Sequence, residues 1–172
     1  GIIFTNYRSS FPAPFYRRNM VEEDKIMGLD CYIVHNNDRE KKFTHEDDDR
    51  IKDINLMGGM FSGYGVDGSF RGKFYNPLIF ELSNGEHTWY IDQSDEDPYI
   101  YSDTLKEQAD LLGDLIQATV DTANDEGIEL TDETIIYTTK DGYAEYNYKE
   151  VQDLETLLRV AAERKAVMSV WY

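Results

Sequence analysis

Residues 134–148 read Thr-Ile-Ile-Tyr-Thr-Thr-Lys-Asp-Gly-Tyr-Ala-Glu-Tyr-Asn-Tyr, and the order of residue types in this stretch decides the class of fold. Two runs rich in β-branched and aromatic residues, 134–139 and 143–148, flank Lys140-Asp141-Gly142. Asp-Gly between such runs supplies the positive backbone φ that a tight hairpin needs, so antiparallel pairing is predicted. On both sides a helical period takes over. Thr104–Asn124 carries apolar residues at 105, 109, 112, 116, 120 and 123, with Leu111 and Leu115 widening the stripe. Thr104 and Glu107 match a capping box, and Gly127 sits where a C-terminal cap would end the helix. Glu150–Lys165 repeats the pattern with Val151, Leu154, Leu157, Leu158, Ala161 and Ala162, and Glu155 with Arg159 forms an i,i+4 pair.

Working outward, Leu78–Leu82 and His87–Asp92 flank Ser83-Asn84-Gly85-Glu86, which predicts a second hairpin. Asn76-Pro77 is expected to interrupt any helix before it. Leu29–His35 and Ala166–Tyr172 read as strands at the two ends. The second of these is apolar enough that it must pair inside a sheet or with another copy of the chain. Ile51, Ile54 and Leu56 suggest a short packed turn after the charged run Asp47-Asp48-Asp49-Arg50. The predicted architecture is α+β: an antiparallel sheet built from two hairpins plus N- and C-terminal strands, with two helices packed on one face. Residues 27–172 form a single domain, and residues 1–26 read as an N-terminal arm or an upstream extension. Homo-oligomers are expected to use residues 166–172 or that arm.

The charge is segregated. Residues 76–155 hold 21 Asp or Glu against Lys106, Lys140 and Lys149, with no Arg, while residues 1–75 are nearly balanced. The formal net charge of -17 therefore lives in one block. Such a field repels nucleic acid and anionic membranes and attracts basic partners. It is not a disordered tail, because aromatics make up 13% of the chain and helix and turn signals run through the block. Cys31, the only cysteine, lies in an apolar run and reads as a buried thiol, in keeping with a reducing cytoplasm. No run approaches the length of a membrane span.

Chemical motifs are sparse. Gly63-x-Gly65-x-x-Gly68 matches the letters of a dinucleotide fingerprint, but no strand precedes it and no helix is expected to follow. Arg71-Gly72-Lys73, beside the glycine-rich stretch 57–73, either cradles an anion or pairs with the acidic block. An enzyme or ligand-binding reading would use Asp30, Tyr64, Arg71, Lys73 and Tyr75 around that stretch. His35, His45 and His87 are too scattered for a metal motif, and no spacing assembles a Ser-His-Asp or Cys-His set. No catalytic residue, metal or cofactor is expected. The acidic block reads as a solvated surface or as a face for a basic protein partner, with Asp92, Asp95, Glu96, Asp97, Asp103, Glu107, Asp110, Asp114 and Asp121 at its centre. Within the partner reading, rows of carboxylates at phosphate spacing would mimic DNA.

Met27-Gly28-Leu29-Asp30-Cys31-Tyr32 resembles the opening Met-Gly-Leu-Asp-x-Tyr of small uncharacterised proteins encoded by bacteriophages and some bacteria. Ser69-Phe70-Arg71-Gly72-Lys73 is similar to a later segment of the same proteins. The resemblance implies an accessory protein of that type and carries no activity with it. The expectation from sequence is a non-enzymatic acidic binding protein, with an anionic-ligand site around 57–73 and a structural oligomer as the alternatives.

Overall fold

The computed structural model describes residues 2, 4–6, 28–58, 69–91 and 97–171. In chain order the elements are β1 (Thr5–Asn6), β2 (Asp30–Val34), a 3₁₀ turn (Asp49–Ile51), α1 (Gly72–Leu82), β3 (Tyr99–Ile100), α2 (Ser102–Glu126), β4 (Thr134–Thr138), β5 (Glu145–Asn147), α3 (Tyr148–Glu163) and β6 (Val167–Trp171). The class is α+β. The strands form two three-stranded antiparallel sheets, ordered β1-β4-β5 and β2-β6-β3, in place of the single sheet that was expected. Most of the N-terminal arm, and residues 59–68 of the glycine-rich stretch, lie outside the described residues.

The hairpin over 134–148 forms as its sequence predicts. Tyr137 faces Tyr146 across β4 and β5, and Gly142 takes φ 73° in the turn. The apolar C-terminal strand finds its partners inside the molecule. β6 lies between β2, which pairs along Asp30–Val34, and β3, which pairs at Ser169 and Met168. The strand thus meets its need for pairing within the chain, on both edges at Met168 and Ser169. On the far side of β2, Cys31 exchanges backbone hydrogen bonds with Phe70 at 2.9 and 2.8 Å.

The largest departure from the sequence reading is α1. Leu78–Leu82 is helical, and the Asn84-Gly85 pair ends a helix instead of turning a hairpin. Asn84 and Gly85 have φ 53° and 86°, the same sign pattern a type I′ turn requires. Here they close a Schellman motif, with Gly85 N–H donating to the Phe80 carbonyl at 2.8 Å and Asn84 N–H to the Glu81 carbonyl at 3.1 Å. The helix also runs through Pro77, where a break was expected. Pro77 removes one i→i−4 donor and its ring crowds the preceding turn. A tyrosine relieves the next step of the ladder. The Tyr146 hydroxyl, on β5, donates to the Phe74 carbonyl at 2.5 Å, in the turn just before Pro77. Burial raises the Tyr146 pKa well above the usual phenol value, so the group stays a neutral donor.

Around this point sits an aromatic core. Phe74, Tyr75 and Tyr146 lie 4.9 to 6.1 Å apart by ring centroid, and Phe70 packs edge-on against Tyr75 and Trp89. Helices α2 and α3 pack on each other through Leu105, Ala109 and Leu112 against a face bearing Leu154, Leu157, Leu158 and Ala161, all essentially buried. Helix α3 opens on a reciprocal capping box. The Asn147 side chain accepts from Glu150 N–H at 2.8 Å, and the Glu150 carboxylate accepts from Asn147 N–H at 3.2 Å. Gly72 is needed at the start of α1 because a Cβ there would lie 2.5 Å from the Cys31 sulfur.

The 3₁₀ turn is fastened to the end of α3 by a buried carboxylate. Asp48 accepts from Arg50 Nη2 at 2.9 Å and from Arg164 Nε at 3.2 Å. The side-chain hydrogen bond from Arg50 is the main cause holding its carboxyl well below the usual range. The run Asp47-Asp48-Asp49-Arg50 is thus a turn start with an anchored anion.

Two outcomes follow from these contacts. Tyr146→Phe removes the buried hydroxyl that donates to the Phe74 carbonyl, so urea unfolding is expected to show a loss of about 1–3 kcal/mol. Asp48 has a depressed carboxyl pKa, so its stabilisation is complete above the unfolded value of about 4 and fades as pH falls below it. Asp48→Asn is therefore expected to be less stable than wild type at pH 7, with the gap in denaturant midpoint narrowing steadily below about pH 4.

Candidate functional site

Helix α2 carries the acidic block's longest continuous face. It starts at Ser102, two residues before the predicted position, with Tyr101 as N-cap and no side-chain cap bond. The expected Thr104–Glu107 capping box therefore does not form, because both residues lie inside the first two turns. The C-terminal end is as predicted, with Gly127 in the left-handed region at φ 67°. Leu105, Gln108, Ala109, Leu112, Leu115, Thr119 and Ala123 face the core. At about 100° per residue, Asp103, Glu107, Asp114, Asp121 and Asp125 fall within roughly 40° of arc, directly opposite. All five are exposed. They span 22 residues, or about 33 Å of helix axis.

The structure sorts the candidate carboxylates into two groups. Asp103, Glu107, Asp114 and Asp121 are displayed along the stripe. Asp110 is drawn into the fold. It accepts from Arg159 of α3 at 2.9 Å and from Lys106 at 3.1 Å, and the Arg159 bond is the main cause lowering its pKa. Asp97 accepts from the Tyr101 hydroxyl at 2.5 Å, within a cluster where the Arg39 guanidinium lies 4.2 Å over the Tyr99 ring. Asp92, Asp95 and Glu96 lie outside the described residues. Other members of the block also serve the fold. Glu81 accepts from the Tyr137 hydroxyl at 2.9 Å, and Asp153 is tied to Lys149 at 2.7 Å.

Displaying like charges in a row costs little at this spacing. Glu107, Asp114 and Asp121 are seven residues apart, about 10 Å along the axis. Two unit charges at 10 Å in water repel by about 0.4 kcal/mol before screening, and that distance is about one Debye length at 0.1 M salt. The row is nonetheless far sparser than nucleic acid. Duplex DNA carries one charge per about 1.7 Å of axis, so about 33 Å would hold roughly 20 phosphates against five carboxylates here. The geometry therefore gives no support to DNA mimicry.

One carboxylate of the stripe lies beside a hydrogen-bonded chain that starts in the core. Trp89 is fully buried, and its indole Nε1–H donates to Gln108 Oε1 at 2.9 Å. Indole nitrogen can only donate, which fixes the orientation of the Gln108 amide. Gln108 Nε2 then faces His87 Nδ1 at 3.5 Å, so Nδ1 is the accepting nitrogen and Nε2 carries the hydrogen. His87 Nε2 lies 3.3 Å from Glu107 Oε2. A hydrogen-bonded chain thus runs from the buried indole to the imidazole, and Glu107, whose side chain is 69% exposed, lies beside that ring. Asn76 in α1 positions the inner end of this relay, accepting from the Trp89 backbone N–H at 2.6 Å. Sequence reading weighed His87 only as a metal ligand and did not single out Gln108 or Trp89. The residues are up to 21 apart and carry no periodic or motif signal.

Beside this relay opens a cleft of about 320 Å³, lined by Leu82, Ser83, Asn84, Glu86, His87, Glu107 and Leu111. Serine, histidine and glutamate occur together, but not as a catalytic triad. Ser83 Oγ donates to the Phe80 carbonyl at 3.1 Å and accepts from His87 backbone N–H at 2.9 Å. Both ring nitrogens of His87 face other partners, so the imidazole cannot take the serine proton. A second groove of about 400 Å³ lies between His35–Asn37 and Arg164–Ala166, where Arg164 is already engaged with Asp48. Among the described residues no group of three His, Cys, Asp or Glu is placed to hold a metal ion, and no helix is long and apolar enough to cross a membrane.

The alternative ligand site is not assembled as a cavity among the described residues. Asp30 and Lys73 are buried, and Arg71 Nε lies 3.4 Å from Asp30 Oδ1. Tyr75 is fully buried, with its hydroxyl accepting from Met57 N–H at 2.9 Å and donating to Glu150 at 3.3 Å. Tyr64 lies outside the described residues. Cys31 is buried, and desolvation raises its pKa well above the ordinary thiol value, so it is no nucleophile.

Gln108→Leu removes the middle of the relay while keeping its bulk. It is expected to cost about 1–3 kcal/mol, because the Trp89 N–H is left buried without an acceptor. The imidazole ¹⁵N shifts of His87, a single Nε2–H tautomer in the wild type, are expected to become those of a tautomer mixture.

No protein-family model, no curated protein and no solved structure matches this chain.

Proposed function

We propose that this protein is a non-enzymatic binding module that presents the α2 stripe to a basic surface of a partner protein. The observation that carries the reading is Glu107 set on the exposed face of α2 and 3.3 Å from a His87 ring that Gln108 and Trp89 fix from the core. A carboxylate beside an ordered ring offers a cation a docking point that costs less to organise than one in open solvent. The alignment of Asp103, Asp114, Asp121 and Asp125 with it supports the same reading. Complementary charge of this kind sets encounter rate and orientation more than final affinity. The buried lone thiol and the likeness of residues 27–32 and 69–73 to phage-type proteins support an accessory protein working in a reducing cytoplasm.

The reading is tested by immobilising the chain and the triple variant Glu107→Gln, Asp114→Asn, Asp121→Asn, and passing host extract over both at about 0.1 M salt. A basic protein retained by the wild type, released as salt rises and lost on the variant is the expected result. Identical retention by the two, or retention of nothing, would overturn it.

A further inference from the structure

We infer that the cleft beside Glu107 is a receptor for one arginine side chain of that partner, and so the energetic centre of the interface. The inference rests on the binding-face reading above and names the group that face recognises. At about 320 Å³ the cleft lies at the low end of the range for ligand sites, which suits a single long side chain better than a folded ligand. Its walls differ in character. Leu82, at the end of α1, and Leu111, on α2, supply half-buried apolar surface. Glu86 and Glu107 supply carboxylates, and the lining contains no lysine or arginine.

That combination matches a side chain with an apolar stem and a cationic head. Two features favour guanidinium over ammonium. A planar fork can engage a carboxylate through paired N–H donors, and its weakly hydrated face stacks on a flat ring such as the His87 imidazole. Glu107 lies beside that ring, with one oxygen 3.3 Å from His87 Nε2. An acceptor next to apolar surface is the setting in which an arginine becomes a hot spot, while charges at an open rim contribute little. Asp114 and Asp121, farther along the exposed face of α2, steer the partner and set its direction along the helix.

The probe is a short capped peptide of alternating arginine and glycine, titrated into the labelled full-length chain at about 0.05 M salt. Its lysine counterpart is the comparison. Saturable shifts of the Leu82 and Leu111 methyls and the His87 ring are expected. Glu107→Gln should weaken the arginine peptide by about fivefold or more, a change of roughly 1 kcal/mol, and Asp121→Asn by less than about twofold. The lysine peptide should bind more weakly and move Leu111 little. If the arginine peptide binds but its shifts spread evenly from Asp103 to Asp125, and the two variants weaken it equally, the cleft has no special role and the stripe reading alone stands. If neither peptide binds, both the cleft and the stripe reading fall.

Discussion

The hydroxyl of Tyr146 donates to the Phe74 carbonyl in the turn of helix α1 just before Pro77, and much of the molecule depends on that contact. Proline inside a helix costs about 3 kcal/mol or more when nothing compensates. Here a hydroxyl from β5 donates to the Phe74 carbonyl, and the helix continues to Leu82. Continuity of α1 puts Asn76 where it captures the backbone of Trp89. Trp89 then orients Gln108, and Gln108 orients His87 at the foot of the acidic helix. The end of α1 also supplies Leu82 and Asn84 to the cleft. A contact between a hairpin and a helix therefore fixes the geometry of a surface site on a third element.

The acidic block is better understood after its carboxylates are separated by their work. Glu81, Asp110, Glu150 and Asp153 hold strands, helix starts and helix pairs together, each with identified donors. Asp103, Asp114 and Asp121 touch nothing that the fold needs to close α2 onto the core. Asp125 and Glu126 oppose the dipole at the helix C-terminus, a cost of a few tenths of a kcal/mol each. Charge is thus kept on the outer face against the mild preference of the helix itself. The spacing keeps self-repulsion below the scale of a single hydrogen bond.

Features encoded by near neighbours were readable from sequence. The period of α2 and α3, the Asp141-Gly142 turn and the apolar run of β6 each depend on residues within one element. The Asn84-Gly85 pair misled because a type I′ turn and a Schellman cap ask for the same positive φ, and only the partners of Leu78–Leu82 distinguish them. Pro77 misled because the hydroxyl that rescues it comes from Tyr146, 69 positions away. Thr104 and Glu107 carried the letters of a capping box, yet Glu107 is turned toward His87. The stripe could be listed from helical spacing, but its division into displayed and internal carboxylates required knowing where Arg159 lies. The relay was invisible because its three residues acquire a relation only after α1 and α2 have packed.

The placement of β6 has a consequence for how the chain reaches this structure. The central strand of the β2-β6-β3 sheet comes from residues 167–171, while its main partner comes from residues 30–34. During synthesis β2 waits unpaired along the edge that β6 will cover, with Cys31 and Ile33 in its apolar run, until all the residues between have been made. Hairpin β4-β5 and helix α2 can form locally in that interval, but the sheet closes last and over a long loop. The dense negative charge on the intervening residues then has a second effect, keeping partly folded chains apart while an apolar strand edge stands open.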